Sequence, residues 1–97
     1  MHDVIVLYNH PVDPAAFDMH YRSIHIPLVD ALPHLREFAW GKVAVGDYYV
    51  VARMTYHSST EATASMESPA GKAAVEDLAK FAGAGVTVLD VDRGEGS

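Results

Sequence analysis

The chain alternates short apolar runs with segments of helical period. Val4-Ile5-Val6-Leu7-Tyr8 is unbroken and rich in β-branched side chains, which predicts a strand over residues 3–10. Pro11-Val12-Asp13-Pro14 ends it, with Asp13 as N-cap and Pro14 as the first helical residue. Phe17, Tyr21, Ile24 and Leu28 then recur at helical spacing and predict a buried stripe. Asp18 and Arg22, four apart, are placed to pair on the wet side. Pro27 lacks a backbone donor, pushes Ile26 away from helical angles and strands the Ser23 carbonyl. The expectation is a kink or break near His25-Ile26-Pro27, then a short helical piece to Leu32 that Pro33 ends.

Residues 35–45 read as a second strand, with Gly41 marking a bulge or a close approach. Gly46-Asp47 reads as a tight turn into a third strand over residues 48–57. Residues 58–67 predict a short helix capped by Ser59 or Thr60. Ser68-Pro69 opens another that runs to Ala82, with Ala74 or Val75, Leu78, and Phe81 or Ala82 inward and Gly83 and Gly85 closing it. Residues 86–91 predict the last strand. The order β-α-β-β-α-β is an α+β, ferredoxin-like arrangement: a four-stranded antiparallel sheet with helices on one face. Residues 1–93 form one domain by this reading, and residues 94–97 read as a disordered tail.

A sheet with one wet face should alternate apolar and polar residues. The first strand does not: Val4, Val6 and Tyr8 point one way, Ile5 and Leu7 the other. The third strand behaves similarly over residues 48–51. Each large apolar side chain left in water forgoes roughly 1.5–3 kcal/mol. A second copy of the same sheet is the simplest cover, so a homodimer is expected.

Composition narrows the function. The 97 residues carry seven Lys+Arg against 13 Asp+Glu, a formal net charge of −6, which argues against nucleic acid as a partner. No apolar run approaches a membrane span, and Met1-His2-Asp3 lacks the basic start of a signal peptide. The absence of cysteine removes disulfides and thiolate chemistry and fits a cytoplasmic protein. There is no glycine-rich phosphate loop and no serine elbow.

The stretch from Phe17 to Leu28, with Tyr21, His25, Pro27 and Leu28, resembles the Phe…Tyr…His-x-Pro-Leu segment of the EthD family, named for a protein linked to ethyl tert-butyl ether degradation. Ser68-Pro69, followed by Asp77 and Phe81, resembles that family's second helical signature. The resemblance spans nearly the whole chain. It implies a dimeric α/β-barrel, an architecture shared with muconolactone isomerases, cofactor-free monooxygenases, polyketide cyclases and haem-degrading proteins, without fixing one reaction.

His25 is the leading candidate acid/base. An imidazole suits proton transfer near neutral pH, and His25 matches the family's histidine. The alternative is a structural His bonding a carbonyl freed by Pro27. Tyr21, Tyr8 and Tyr56 are candidates to position a ligand oxygen. Asp77 matches the family's Asp and can orient a histidine, cap a partner chain or be solvated. Tyr8, Trp40 and Tyr56 are candidate walls of a cleft for an apolar or aromatic metabolite, or else core and interface packing. Asn9 and His10 stand where the first strand ends, at a possible cleft mouth. His20 and His25 are about 140° apart on an α-helix, share no face, and so argue against a metal. No cofactor is expected, haem being a weaker option taken from the barrel relatives. The leading expectation is cofactor-independent isomerisation, cyclisation or oxygenation of a carbon acid. Its rival is a non-catalytic accessory protein serving an oxygenase.

Overall fold

The computed structural model describes residues 1–94; the expected tail lies, beyond Gly94, outside the described residues. Four strands, β1 (His2–Asn9), β2 (Glu37–Lys42), β3 (Tyr48–Tyr56) and β4 (Val86–Asp92), form one antiparallel sheet in the order β2-β3-β1-β4. The helical elements are α1 (Pro14–His20), a π-turn (Tyr21–His25), α2 (Ile26–Asp30), α3 (Ser59–Glu67) and α4 (Pro69–Phe81). β1 and β2 both flank β3, and β3 and β4 both flank β1. Two βαβ units therefore interlock, as the ferredoxin-like order requires.

Register sets the two faces. Val4 sits opposite Met54, Val6 opposite Ala52 and Tyr8 opposite Val50, so one face carries them all toward the helices. These residues are buried, together with Phe17, Tyr21, Val29 and Leu32 from the helical side. On the other face Ile5 and Leu7 are half-buried, while Leu89 and Val91 remain exposed. At one end of that face Asp3 is held by Arg93 Nε at 2.8 Å and by the Thr55 hydroxyl at 2.7 Å.

Arg93 and Thr55 outweigh burial and lower the Asp3 carboxyl from 3.8 to about 2. A depressed carboxylate contributes stability that is present above the unfolded value and lost as pH falls through the folded one. Urea unfolding is therefore expected to weaken between about pH 4 and pH 2 by no more than about 2 kcal/mol, since Arg93 is partly solvated. Asp3→Asn should abolish that part of the slope.

Several local expectations are corrected. Of the kink or break expected near Pro27, the break does not occur. Ile26 keeps helical angles (φ −57°, ψ −46°), and its N–H reaches back five residues to the Tyr21 carbonyl. This π-turn widens the ladder immediately before the proline, so the ring is taken in without a break. It also shifts the helical phase by one residue: Phe17, Tyr21, His25 and Val29 face inward, and Ile24 is exposed. Leu28 is half-buried. Asp18 pairs with Lys42 and the Tyr49 hydroxyl rather than with Arg22, and Arg22 lies over Trp40 instead. Ser58 caps α3 in place of Ser59 or Thr60. β2 is shorter than expected and regular through Gly41; the irregularity falls between Tyr8 and Asn9. A longer bend spanning residues 43–47 replaces the tight turn. Of the two inward alternatives on α4, the expectation of Ala74 holds, since it is buried while Val75 is exposed.

Candidate active site

The site starts from the π-turn. An i→i+5 closure makes five residues about one turn, so His20 and His25 come round to the same side of the helix. Both reach one carboxylate on α4. His20 Nε2–H donates to Asp77 at 2.9 and 3.0 Å, and His25 Nδ1–H donates to Asp77 Oδ2 at 3.0 Å. The expectation that the two histidines share no face rests on α-helical geometry and is overturned. His25 is bonded to a carboxylate, so it is not there to satisfy a freed carbonyl.

With Nδ1 committed as donor, His25 Nε2 keeps a lone pair. Among the described residues, the polar neighbour of that nitrogen is the Tyr8 hydroxyl, which donates over a long 3.4 Å. Burial lowers the His25 pKa below its ordinary value and outweighs the opposing pull of Asp77. Burial also works against ionised Asp77, but its bonds to His20 and His25 prevail and hold its carboxyl below the usual range. The pair at neutral pH is thus a carboxylate and a neutral imidazole whose free nitrogen points away from it.

His25 stands at the polar end of an apolar cavity of about 120 Å³ between helices and sheet. Its walls include Val4, Val6, Leu32, Phe38, Met54 and Leu78, with Tyr8 and Tyr21 beside His25. Val75 on α4 and Val88 on β4 also line it and are about half exposed, at 54% and 52%. They mark its mouth. The Tyr21 hydroxyl is fully buried and has no hydrogen-bond partner among the described residues. Burying such a donor unpaired costs about 1–3 kcal/mol, so a ligand oxygen is the natural partner. Tyr21→Phe is accordingly expected to raise the melting stability of the free protein by about 1 kcal/mol. The same change should weaken an oxygen-bearing ligand about tenfold. Calorimetry and binding titration on one variant check both signs.

The remaining candidates are placed elsewhere. The Tyr56 hydroxyl bonds Ser65 Oγ at 2.8 Å beneath α3 and is not among the cavity walls. Trp40 packs on Tyr21 edge to face and carries Arg22 above it, outside the cavity. The Asn9 amide donates to the Ala84 carbonyl and ties the α4–β4 connection to β1. His10 is exposed and lies against Tyr49. His20 is the residue missed in the sequence. The signal was there: two histidines five apart just ahead of a proline is the spacing a π-turn brings together. Among the described residues no group of three or more His, Cys, Asp or Glu is placed to hold a metal ion. No helix among them is long and apolar enough to cross a membrane. A haem is far larger than this cavity, whose volume is close to the roughly 150 Å³ that holds a single benzene ring.

A β2-β3-β1-β4 antiparallel sheet with helices on one face defines a ferredoxin-like α+β protein. Residues 9–85 match the EthD domain, and the chain belongs to the EthD family. An uncharacterised 11.0 kDa protein from the thcB-thcC intergenic region of Rhodococcus erythropolis is 44% identical over 98 residues, spanning 96% of this chain and 95% of that protein. The crystal structure of an EthD family protein from Bacillus halodurans superposes with a TM-score of 0.91 at 31% identity, covering 96% of this chain and 98% of that one. A dimeric ferredoxin-like protein of unknown function from Thermobifida fusca shares the fold with a TM-score of 0.72 at 20% identity, covering 95% and 90% of the two chains.

Proposed function

We propose that this protein is a homodimer that binds a small, neutral, largely apolar molecule in the cavity and moves a proton at an activated carbon of it. The observation that carries this reading is His25, oriented by Asp77 at the end of an apolar cavity, beside a buried Tyr21 hydroxyl with no partner among the described residues. His25 Nε2 takes the proton. Asp77 stabilises the imidazolium that forms, as a buried carboxylate does behind a general base. The Tyr21 hydroxyl donates to the ligand oxygen on which negative charge develops. The proton is then returned at another carbon, so the chemistry is isomerisation without a cofactor.

The cavity also sets the ligand class. Its volume suits about one five- or six-membered ring. None of the described lining residues is Lys or Arg, and ionised Asp77 lies just behind His25. Anionic ligands therefore meet repulsion and no counter-charge. A cyclic ketone such as cyclohexanone suits the site, and benzoate does not.

The dimer rests on the open sheet face. Ile5, Leu7, Val51, Leu89 and Val91 alternate with the residues facing the helices. They are bordered by the Arg53–Glu37 and Arg93–Asp3 pairs. An apolar centre with a polar rim is the anatomy of a protein interface.

Two measurements test the proposal. Sedimentation at micromolar concentration should give a dimer, and Leu89→Arg a monomer; a monomeric wild type overturns the dimer. NMR in D₂O should show deuterium entering the α-carbon of cyclic ketones, with exchange falling as pH drops through the lowered His25 value. Saturable binding without exchange would instead support the accessory, ligand-binding role.

A further inference from the structure

We infer that His20 is a positioning residue of this site, holding the Asp77 carboxylate ionised and aimed at His25. The inference deepens the proposed proton transfer and rests on it for its consequence in catalysis. Its own basis is geometric. Asp77 is almost wholly buried, its side chain 3% exposed, and His20 and His25 are the partners that bond it. Among the described residues no lysine or arginine bonds to it. An isolated carboxylate in such a place protonates rather than stay charged. His20 Nε2 spans both carboxylate oxygens, so it fixes the plane of the group as well as its charge. Oδ2 is then left facing His25 Nδ1, which sets both ring orientation and tautomer. The His20 ring is itself held, stacked on Phe81 with centroids 4.9 Å apart and an interplanar angle of 16°.

The helix geometry is bent to this arrangement. A regular α-helix would point His20 and His25 about 140° apart. The π-turn is the departure that lets both reach one carboxylate, and such turns collect at functional sites. His20 also differs from His25 in surroundings. Its side chain is 20% exposed against 5% for His25. It borders an outer cleft shared with Asp13, Ala16, Lys80 and Phe81. The titratable groups around it are therefore Asp77 and Lys80 from α4, Asp13 ahead of α1, and His25 from its own helical run.

Removing the His20 donor makes ionised Asp77 costlier. The Asp77–His25 pair then takes up its proton at higher pH, wherever within the pair that proton resides. The test is an imidazole NMR titration of the ligand-free protein. In His20→Leu the midpoint of the pair is expected to rise by about one pH unit. In His20→Gln, whose amide nitrogen can stand where Nε2 stands, it should remain near the wild-type value. If His20→Leu does not fold, His20→Asn replaces it, because its shorter amide does not reach Asp77. A midpoint unchanged in all variants, with only the melting temperature lowered, would mean that His20 merely packs, and would overturn the inference. So would a His20→Gln protein that shifts as far as His20→Leu. Where turnover is measurable, the acid limb of kcat should move with the midpoint while KM stays constant. Should the midpoint move in a protein with no turnover of any compound, the positioning role stands and the catalytic reading falls. Turnover with an unmoved midpoint decides the other way.

Discussion

Replacing His25 with Asn is expected to leave a folded protein that still binds its ligand but turns it over about 10²–10⁴-fold more slowly. The asparagine amide nitrogen can occupy the place of Nδ1 and donate to Asp77 Oδ2, so the buried carboxylate keeps both of its donors. What disappears is Nε2, the nitrogen that faces Tyr8 and the cavity. The apolar walls, which supply most of the contact area, are untouched. The loss should therefore fall on kcat, with KM little changed. His25→Leu is a different experiment. It leaves Asp77 bonded by His20 alone and is expected to cost about 1–3 kcal/mol of stability besides the activity. Comparing the two separates the base from the brace. An asparagine variant with wild-type turnover of a known substrate would remove His25 from the chemistry.

The largest effect on stability is expected at Gly71. This residue lies in the first turn of α4, where that helix crosses the end of α3. A Cβ built there would overlap the carbonyl oxygens of Ser65 and Met66. Both are backbone atoms and cannot swing aside. In an open helix, Gly→Ala gains about 1 kcal/mol of propensity. The overlap reverses the sign, because α4 must move away from α3 to relieve it. Ser68 would be disturbed as well, since it ends α3 and caps α4 through its bond from the Gly71 N–H. Asp77 sits on the same helix, so the displacement reaches the site. Gly71→Ala is expected to cost about 3 kcal/mol or more, which lowers Tm by roughly 12 °C or more in a domain of this size. Gly41 provides the control. A Cβ there meets nothing within 4 Å, so Gly41→Ala should be neutral or slightly stabilising. Thermal melts of the two alanine variants check this directly.

What could be read from the chain alone was local. The apolar run from Val4 to Tyr8, the Asp13-Pro14 start and the Ser68-Pro69 start each carry their own structural signal, and the element order followed from them. The departures came where a distant residue overrides a local rule. Pro27 predicts a kink or a break because a proline within an α-helix loses a bond and clashes one turn back. The chain answers with a π-turn, and the reward for that turn lies on α4, more than fifty residues away, in the bonds from His20 and His25 to Asp77. Nothing in the helix itself announces that partner. The same shift in phase explains why Ile24 was expected inside and His25 takes that place. Tyr8, Tyr21, His25 and Asp77 gather in one place, whereas Tyr56, Trp40, Asn9 and His10 do not. Strand alternation tells which face a side chain takes, but not how far along the strand the cavity extends.

The proposed proton transfer depends on the state of one ring. Nitrogen-15 NMR of the free protein at pH 7 reports the protonation and tautomer of His25 without any substrate. The expected spectrum is a neutral imidazole with its proton on Nδ1, shared with Asp77, and a bare Nε2. An imidazolium at that pH, or a neutral ring protonated on Nε2, would contradict the assignment of His25 as the base.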